Sequence, residues 1–218
     1  MTFDDGFRSH YDVARCLSAI GVKATFFITT HTYGENFLAS TPEKIIEMSE
    51  MGHEIGSHSC THPNFLLLSA SERERELKES RKWLENLLGK NIRSFAYPYF
   101  LYDEKVLRDT HRFYLISRSR CLHVGSCKVD MFRVHFLTRK NLLSILSNSI
   151  LKNTENSGLI TLHNIKSFQI PFILSALGVL TQTMPRQVRF VTISELAHLL
   201  TGGALRDSTR LEPEVTTC

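Results

Sequence analysis

Alternation is the feature that most constrains how this chain can fold. Short β-prone runs and amphipathic helical stretches succeed one another along its 218 residues. Residues 8–20 carry an apolar stripe at Val13, Cys16, Leu17 and Ile20, spaced for one helix face, and Gly21 ends it. KATFFITT follows as a strand. Thr41, Pro42 and Glu43 supply a cap, a first-turn proline and an acid that offsets the helix dipole, and they open a helix that stops at Gly52. HEIGSHS is the next strand. Ser69 with Glu72 predicts a capping box for a long helix buried along Leu77, Leu84, Leu87 and Leu88 and closed by Gly89. SFAYPY is read as a strand, 103–111 as a short helix and FYLISRS as a strand. A helix from Thr138 passes through Leu142, Leu143, Leu146 and Ile150. The apolar strand GLITLHNI, the helix QIPFILSALGVLTQT, the strand VRFVTI and a last helix over 194–200 complete the pattern.

About seven β–α units predict a parallel sheet with crossover helices. At this length a closed or nearly closed barrel is favoured over an open doubly wound sheet. No glycine-rich phosphate loop opens any of the helices. There is no internal repeat, so residues 1–203 are expected to form one domain and 204–218 a flexible polar tail.

Composition removes several function classes. The 42% hydrophobic and 22% charged content is that of a globular chain. The net charge of +4 is spread through mixed runs such as ERERELKESRKWLE, which reads as an exposed helix face and argues against nucleic-acid binding. No apolar run reaches the roughly 18 residues of a membrane span, and no basic-then-apolar leader is visible, so the visible sequence reads as cytoplasmic. Met1 nevertheless falls where a strand should already be under way. A missing N-terminal segment is therefore an open expectation, and with it a secreted or cell-envelope location. Cys16, Cys60, Cys121, Cys127 and Cys218 contain no Cys-x-x-Cys pair and read as reduced thiols, a Cys121–Cys127 bridge or metal pair being the lesser alternative.

In parallel α/β folds, reactive groups gather at the C-terminal ends of the strands. Here those ends carry Asp4-Asp5-Gly6, then His58 through His62, then Tyr97-Pro98-Tyr99, and finally His163. Two adjacent carboxylates repel unless a cation or hydrogen bonds hold them ionised; otherwise Asp-Asp-Gly is simply good solvated turn chemistry. His58 and His62 with one carboxylate would make a His₂-carboxylate set with positions left for water and substrate. Among ten histidines a pair four apart is weak alone, and context strengthens it. His163 closes an apolar strand, either as a core imidazole or as a general acid titrating near neutral pH.

Together these residues resemble the polysaccharide deacetylase family, the NodB-like metal-dependent carbohydrate deacetylases. The resemblance rests on TFDDG (2–6), HSCTH (58–62), FAYPY (95–99) and LITLH (159–163), in family order, followed by VRFVTISEL. It implies a distorted (β/α)7 barrel, incomplete at its first strand, and hydrolysis of acetyl groups from N-acetylated sugars or polysaccharides. By the match, Asp5, His58 and His62 hold a divalent metal, most often zinc. Asp4 is the general base toward water, His163 the general acid toward the departing amine, and the Tyr99 backbone N–H a donor to the oxyanion. The implied partner is a carbohydrate. The oligomeric state is not implied. Strand-end alternation is expected to aim Asp4 and Asp5 differently.

Several positions depart from the family pattern. Ala96 stands where the third motif usually brings an arginine that orients the base, and only Arg93 is nearby. Phe100 stands in place of a glycine, Phe7 in place of a proline, and only Asp130 or Arg133 could serve as a fourth motif. Two alternatives stay open: hydrolysis of a non-sugar amide or cyclic imide, and a catalytically silent member that binds metal or glycan.

Overall fold

A computed structural model describes residues 1–125, 127–129, 132–136, 158–162 and 190–201; at 127, 129, 132–136 and 158–162 it describes the backbone alone. Nine strands form one sheet: β1 (Thr2–Phe3), β2 (Thr25–Ile28), β3 (Glu54–Ser57), β4 (Ser94–Ala96), β5 (Ile116–Arg118), β6 (Leu122–Val124), β7 (Cys127–Val129), β8 (Phe132–Phe136) and β9 (Gly158–Leu162). Their order is β7-β6-β5-β4-β3-β2-β1-β9-β8. The seven from β5 through β1 to β8 run parallel, and the β6–β7 hairpin is antiparallel. The described helices are α1 (Ser9–Ala19), α2 (Pro42–Glu50), α3 (Ala70–Leu88), α4 (Glu104–His111) and α5 (Ile193–Leu200). This is the α/β barrel architecture, left incomplete. Among the described residues the break falls between β7 and β8. β1 is only two residues long, yet it lies in the middle of the sheet: Thr2 pairs with Thr25 and Thr161, and Phe3 with Phe26 and Leu162.

The core lies between the sheet and its crossover helices. Phe3 stacks on Phe26 with centroids 4.7 Å apart, and α1 lays Val13 and Leu17 on the same cluster. α2 adds Ile45 and Met48, and α3 adds Leu77 and Leu84, all fully buried. Burying each such side chain contributes about 1.5–3 kcal/mol. α3 is otherwise strongly charged, and its start is fixed by the expected capping box between Ser69 and Glu72.

Away from the strands' C-terminal ends, Glu54 knots four elements together. Its carboxylate accepts from the hydroxyls of Thr25, Ser94 and Ser194 and from the Ser194 N–H, while Ile193 N donates to Thr25 Oγ1. The same knot corrects one expectation. VRFVTI is not a strand over Phe190–Thr192, because Thr192 is spent as the cap of α5 in a reciprocal box with Glu195. The hairpin and β8 were not anticipated. The helices expected from Thr138 and over QIPFILSALGVLTQT, and the tail 204–218, lie outside the described residues. Among the described residues no helix is long and apolar enough to cross a membrane. Cys16, Cys60 and Cys121 are free thiols.

Two predictions follow from this packing. A Cβ at Gly56 would lie 2.6 Å from two Phe27 ring carbons and from Ser94 Oγ. Gly56→Ala is therefore expected to cost about 1–3 kcal/mol, read as a lowered urea midpoint at unchanged m-value. His111 bonds Tyr114 O and Ser117 Oγ through its ring nitrogens, and burial, then His123, lowers its pKa from 6.5 to about 4. The unfolded chain takes up this proton first. Stability is thus full above about pH 6.5 and falls as pH drops toward 4. Urea titrations across that window are expected to show a flatter decline for His111→Gln than for the parent.

Candidate active site

The site forms where β1, β3, β4 and β5 end. After Phe3 the chain turns through Asp5 at φ 75° and Gly6 at φ 70°. Gly6 is required twice over, by that angle and because a Cβ would sit 3.3 Å from the Ile28 backbone and side chain. This left-handed turn, and not strand alternation, separates the two acids. Asp4 is driven inside at 1% exposure, whereas the Asp5 side chain stays 24% exposed.

β3 delivers the histidines. His58 N donates to Ile28 O, and its Nδ1 lies 2.8 Å from Ala96 O. A carbonyl only accepts, so Nδ1 carries the proton and the Nε2 lone pair is free to face outward. That Nε2 is 3.3 Å from Asp5 Oδ1, and His62 Nε2 is 3.4 Å from the same oxygen. One ligand atom from each of Asp5, His58 and His62 lies within 4.8 Å of the others. The histidines are not one helical turn apart. They are joined by a tight loop in which Ser59 (φ 70°) and His62 (φ 60°) are both left-handed.

Glu76, reaching from α3, holds that loop. Its Oε2 accepts from the N–H groups of Cys60 and Thr61, and its Oε1 from the Thr61 hydroxyl, all within 2.9 Å. His62 N donates to Ser59 Oγ. Cys60 turns its thiol toward Glu76 O, and burial, then the Glu76 carboxylate, pushes its pKa up to about 11. Being protonated at neutral pH, it does not compete as a ligand.

β4 leads into a one-turn 3₁₀ helix, Pro98–Phe100, with Tyr99 and Phe100 left-handed at φ 56° and 59°. The exposed Tyr99 ring stands edge-on to His62, centroids 4.6 Å apart. From β5 comes a residue that sequence reasoning missed. Arg118, fully buried, forms an ion pair with Asp4 Oδ1 through its Nη2. Its guanidinium carbon lies 4.9 Å from the Phe27 ring centroid and 5.3 Å from that of Phe100. Arg93, the nearby arginine considered from sequence, precedes β4 and so stands at the other end of that strand from the site. The signal for Arg118 was a lone charge within the strand-forming FYLISRS. For Glu76 it was a position on the same helix face as Leu77, Ser80 and Leu84. His163 and Asp130 lie outside the described residues, and Arg133 is described only as backbone in β8.

Glu76→Ala would orphan three donors of the histidine loop. A loss of about 2 kcal/mol is expected by urea denaturation, with Glu76→Gln losing less because one amide oxygen still accepts.

Residues 1–115 match the polysaccharide deacetylase family model. The chain is 32% identical over 115 residues to peptidoglycan-N-acetylmuramic acid deacetylase PdaA of Bacillus subtilis (strain 168), a stretch covering 51% of this chain and 42% of that one. It is 33% identical over 101 residues to a chitin deacetylase of Pestalotiopsis sp, covering 46% and 33%. The matched stretches thus span less than half the length of these relatives. The Xyl-CE4 domain of a multidomain xylanase from the hindgut metagenome of Trinervitermes trinervoides shares the fold, with a TM-score of 0.67 at 22% identity over 92% of this chain and 89% of that one. With more than half its length matched and these strand ends in place, the chain belongs to the polysaccharide deacetylase family.

Proposed function

We propose that this protein is a metal-dependent hydrolase that removes acetyl groups from N-acetylated sugars or polysaccharides. The observation that carries the reading is the convergence of Asp5, His58 and His62 beside the ion-paired Asp4. The donor set suits the metal: one carboxylate and two imidazoles, with His58 held by a backbone carbonyl as metal-bound histidines commonly are. A divalent cation held there, zinc in this reading, supplies Lewis acidity toward water and the acetyl carbonyl. The names of the peptidoglycan and chitin deacetylases among the relatives support an N-acetylated amino sugar as substrate.

The chain's own groups divide the proton work. Asp4 takes a proton from the attacking water as its oxygen bonds to the acetyl carbon. The Tyr99 N–H donates to the developing oxyanion, and His163 protonates the departing nitrogen as the C–N bond breaks. Acetate and a free amine result. Leu162, which precedes His163, is the register partner of Phe3, which precedes Asp4, and this supports placing acid and base at neighbouring strand ends.

Acetate release from N-acetylglucosamine oligomers tests the reading. Metal-loaded parent is expected to turn over, and Asp4→Asn to keep one metal per chain while kcat falls by roughly 10²–10⁴-fold. His58→Ala and His62→Ala are expected to lose the metal by elemental analysis. Full activity in Asp4→Asn would remove Asp4 as the base.

A further inference from the structure

We infer that the buried hydroxyl of Thr29 belongs to the site: it accepts a hydrogen from the attacking water and so fixes how that water faces the acetyl carbon. The inference rests on the reading of Asp4 as the base. Thr29 directly follows β2, and among the described residues its Oγ1 has no hydrogen-bond partner although the residue is only 3% exposed. Other buried threonines are satisfied: Thr25 by Glu54, Thr30 by His31, Thr110 by Val106 O and Thr192 by Glu195 N. A buried hydroxyl left unpaired costs free energy, so one that persists beside a reaction site points to a ligand that completes it.

Its surroundings identify the ligand. Along β2 the side chains alternate: Phe26 and Ile28 pack with the crossover helices, whereas Phe27 turns inward to the Arg118 guanidinium. Thr29 comes two residues after Phe27 and shares its inward face. His58 N donates to Ile28 O and Thr30 N to Ser59 O, so the β2–β3 pairing carries on past its last register pair, Ile28 with Ser57. Thr29 is thereby set beside His58. On its other side, a Cβ on Gly6 would lie 3.4 Å from Thr29 N, which brings the turn through Asp5 against the same residue. The hydroxyl therefore stands in the wall between the acid turn and the first histidine. The attacking water has two hydrogens and a lone pair to aim. Asp4 takes one hydrogen; the second, unless accepted, leaves the molecule free to swing about the first. A threonine oxygen accepts it without competing for the proton, because a hydroxyl is far less basic than a carboxylate.

The test is steady-state deacetylation by metal-loaded parent, Thr29→Val, Thr29→Ser and Asp4→Asn, with cobalt titration and urea denaturation of each. Thr29→Val keeps nearly the same shape and removes the hydroxyl. It is expected to lower kcat about tenfold, the scale of one hydrogen bond, with KM within about threefold and cobalt affinity within about twofold of the parent. Its urea midpoint is expected to equal or exceed the parent's, because an unpaired buried hydroxyl is exchanged for a methyl group. Thr29→Ser restores the oxygen and is expected to keep kcat within about threefold of the parent. Should Thr29→Val fail to fold, Thr29→Ala supplies the hydroxyl-free kcat. Parent-like kcat without the hydroxyl overturns the inference, as does Thr29→Ser no faster than Thr29→Val, or a urea midpoint in Thr29→Val clearly below the parent's. Full activity in Asp4→Asn beside a slow Thr29→Val would remove the base and leave the role of Thr29 standing. Inactive Asp4→Asn beside a fully active Thr29→Val would remove Thr29 alone.

Discussion

An arginine on β5 gripping a carboxylate at the end of β1 dictates how far the sheet must curl. Four strand spacings separate β5 from β1, roughly 19 Å across a flat sheet at about 4.8 Å each, far beyond the reach of one side chain. The ion pair exists only because the sheet bends until β5 faces β1 across the interior. It is also costly to disturb. Removing one partner of a fully buried pair costs about 3–5 kcal/mol, a large part of the 5–15 kcal/mol that holds a domain together. Curvature and the orientation of the Asp4 carboxylate therefore share one contact, which is why an open, incomplete barrel can still present an ordered site.

The two ends of the strands do different work. Around Glu54, side-chain bonds tie β2, β3, β4 and α5, and the left-handed positions leading into these strands are all glycines. At the C-terminal ends, Asp5, Ser59, His62, Tyr99 and Phe100 are the five non-glycine residues with positive φ among those described, and all lie on the loops of the site. Each departure from preferred backbone costs free energy, so the loops need external support. The carboxylate of Glu76, the Ser59 hydroxyl and the Tyr99–His62 ring contact supply it. Strain is concentrated where groups must be aimed and is absorbed by helix α3 behind them.

This division explains what could be read from sequence. Helical periodicity is local, so α1, α2, α3 and α4 and the capping box at Ser69 were legible, whereas the expected Thr41 cap of α2 makes no side-chain capping bond because its hydroxyl turns to Leu38 O. So was the convergence of Asp5, His58 and His62, which the structure brings together. Arg118 was not, because its meaning depends on a contact 114 residues away in sequence that only a curled sheet creates. Glu76 was hidden in a run of alternating charges whose exposed members have the same composition. The strand expected near Phe190 failed for a competing local reason, since Thr192 and Glu195 satisfy each other as a helix cap.

The adjacency of Asp4 and Asp5 then becomes intelligible as an electrostatic arrangement. Two neighbouring carboxylates stay ionised together only when each has its own counter-charge. The turn through Asp5 and Gly6 sends them to different ones: Asp4 inward to a fixed guanidinium, Asp5 toward the imidazole pair and whatever cation that set receives. In the proposed reading, had both faced the same cation, both would be ligands and neither would be left as a base. The left-handed turn therefore sits upstream of the chemistry. It converts a repulsive dipeptide into two carboxylates that each face a counter-group of their own.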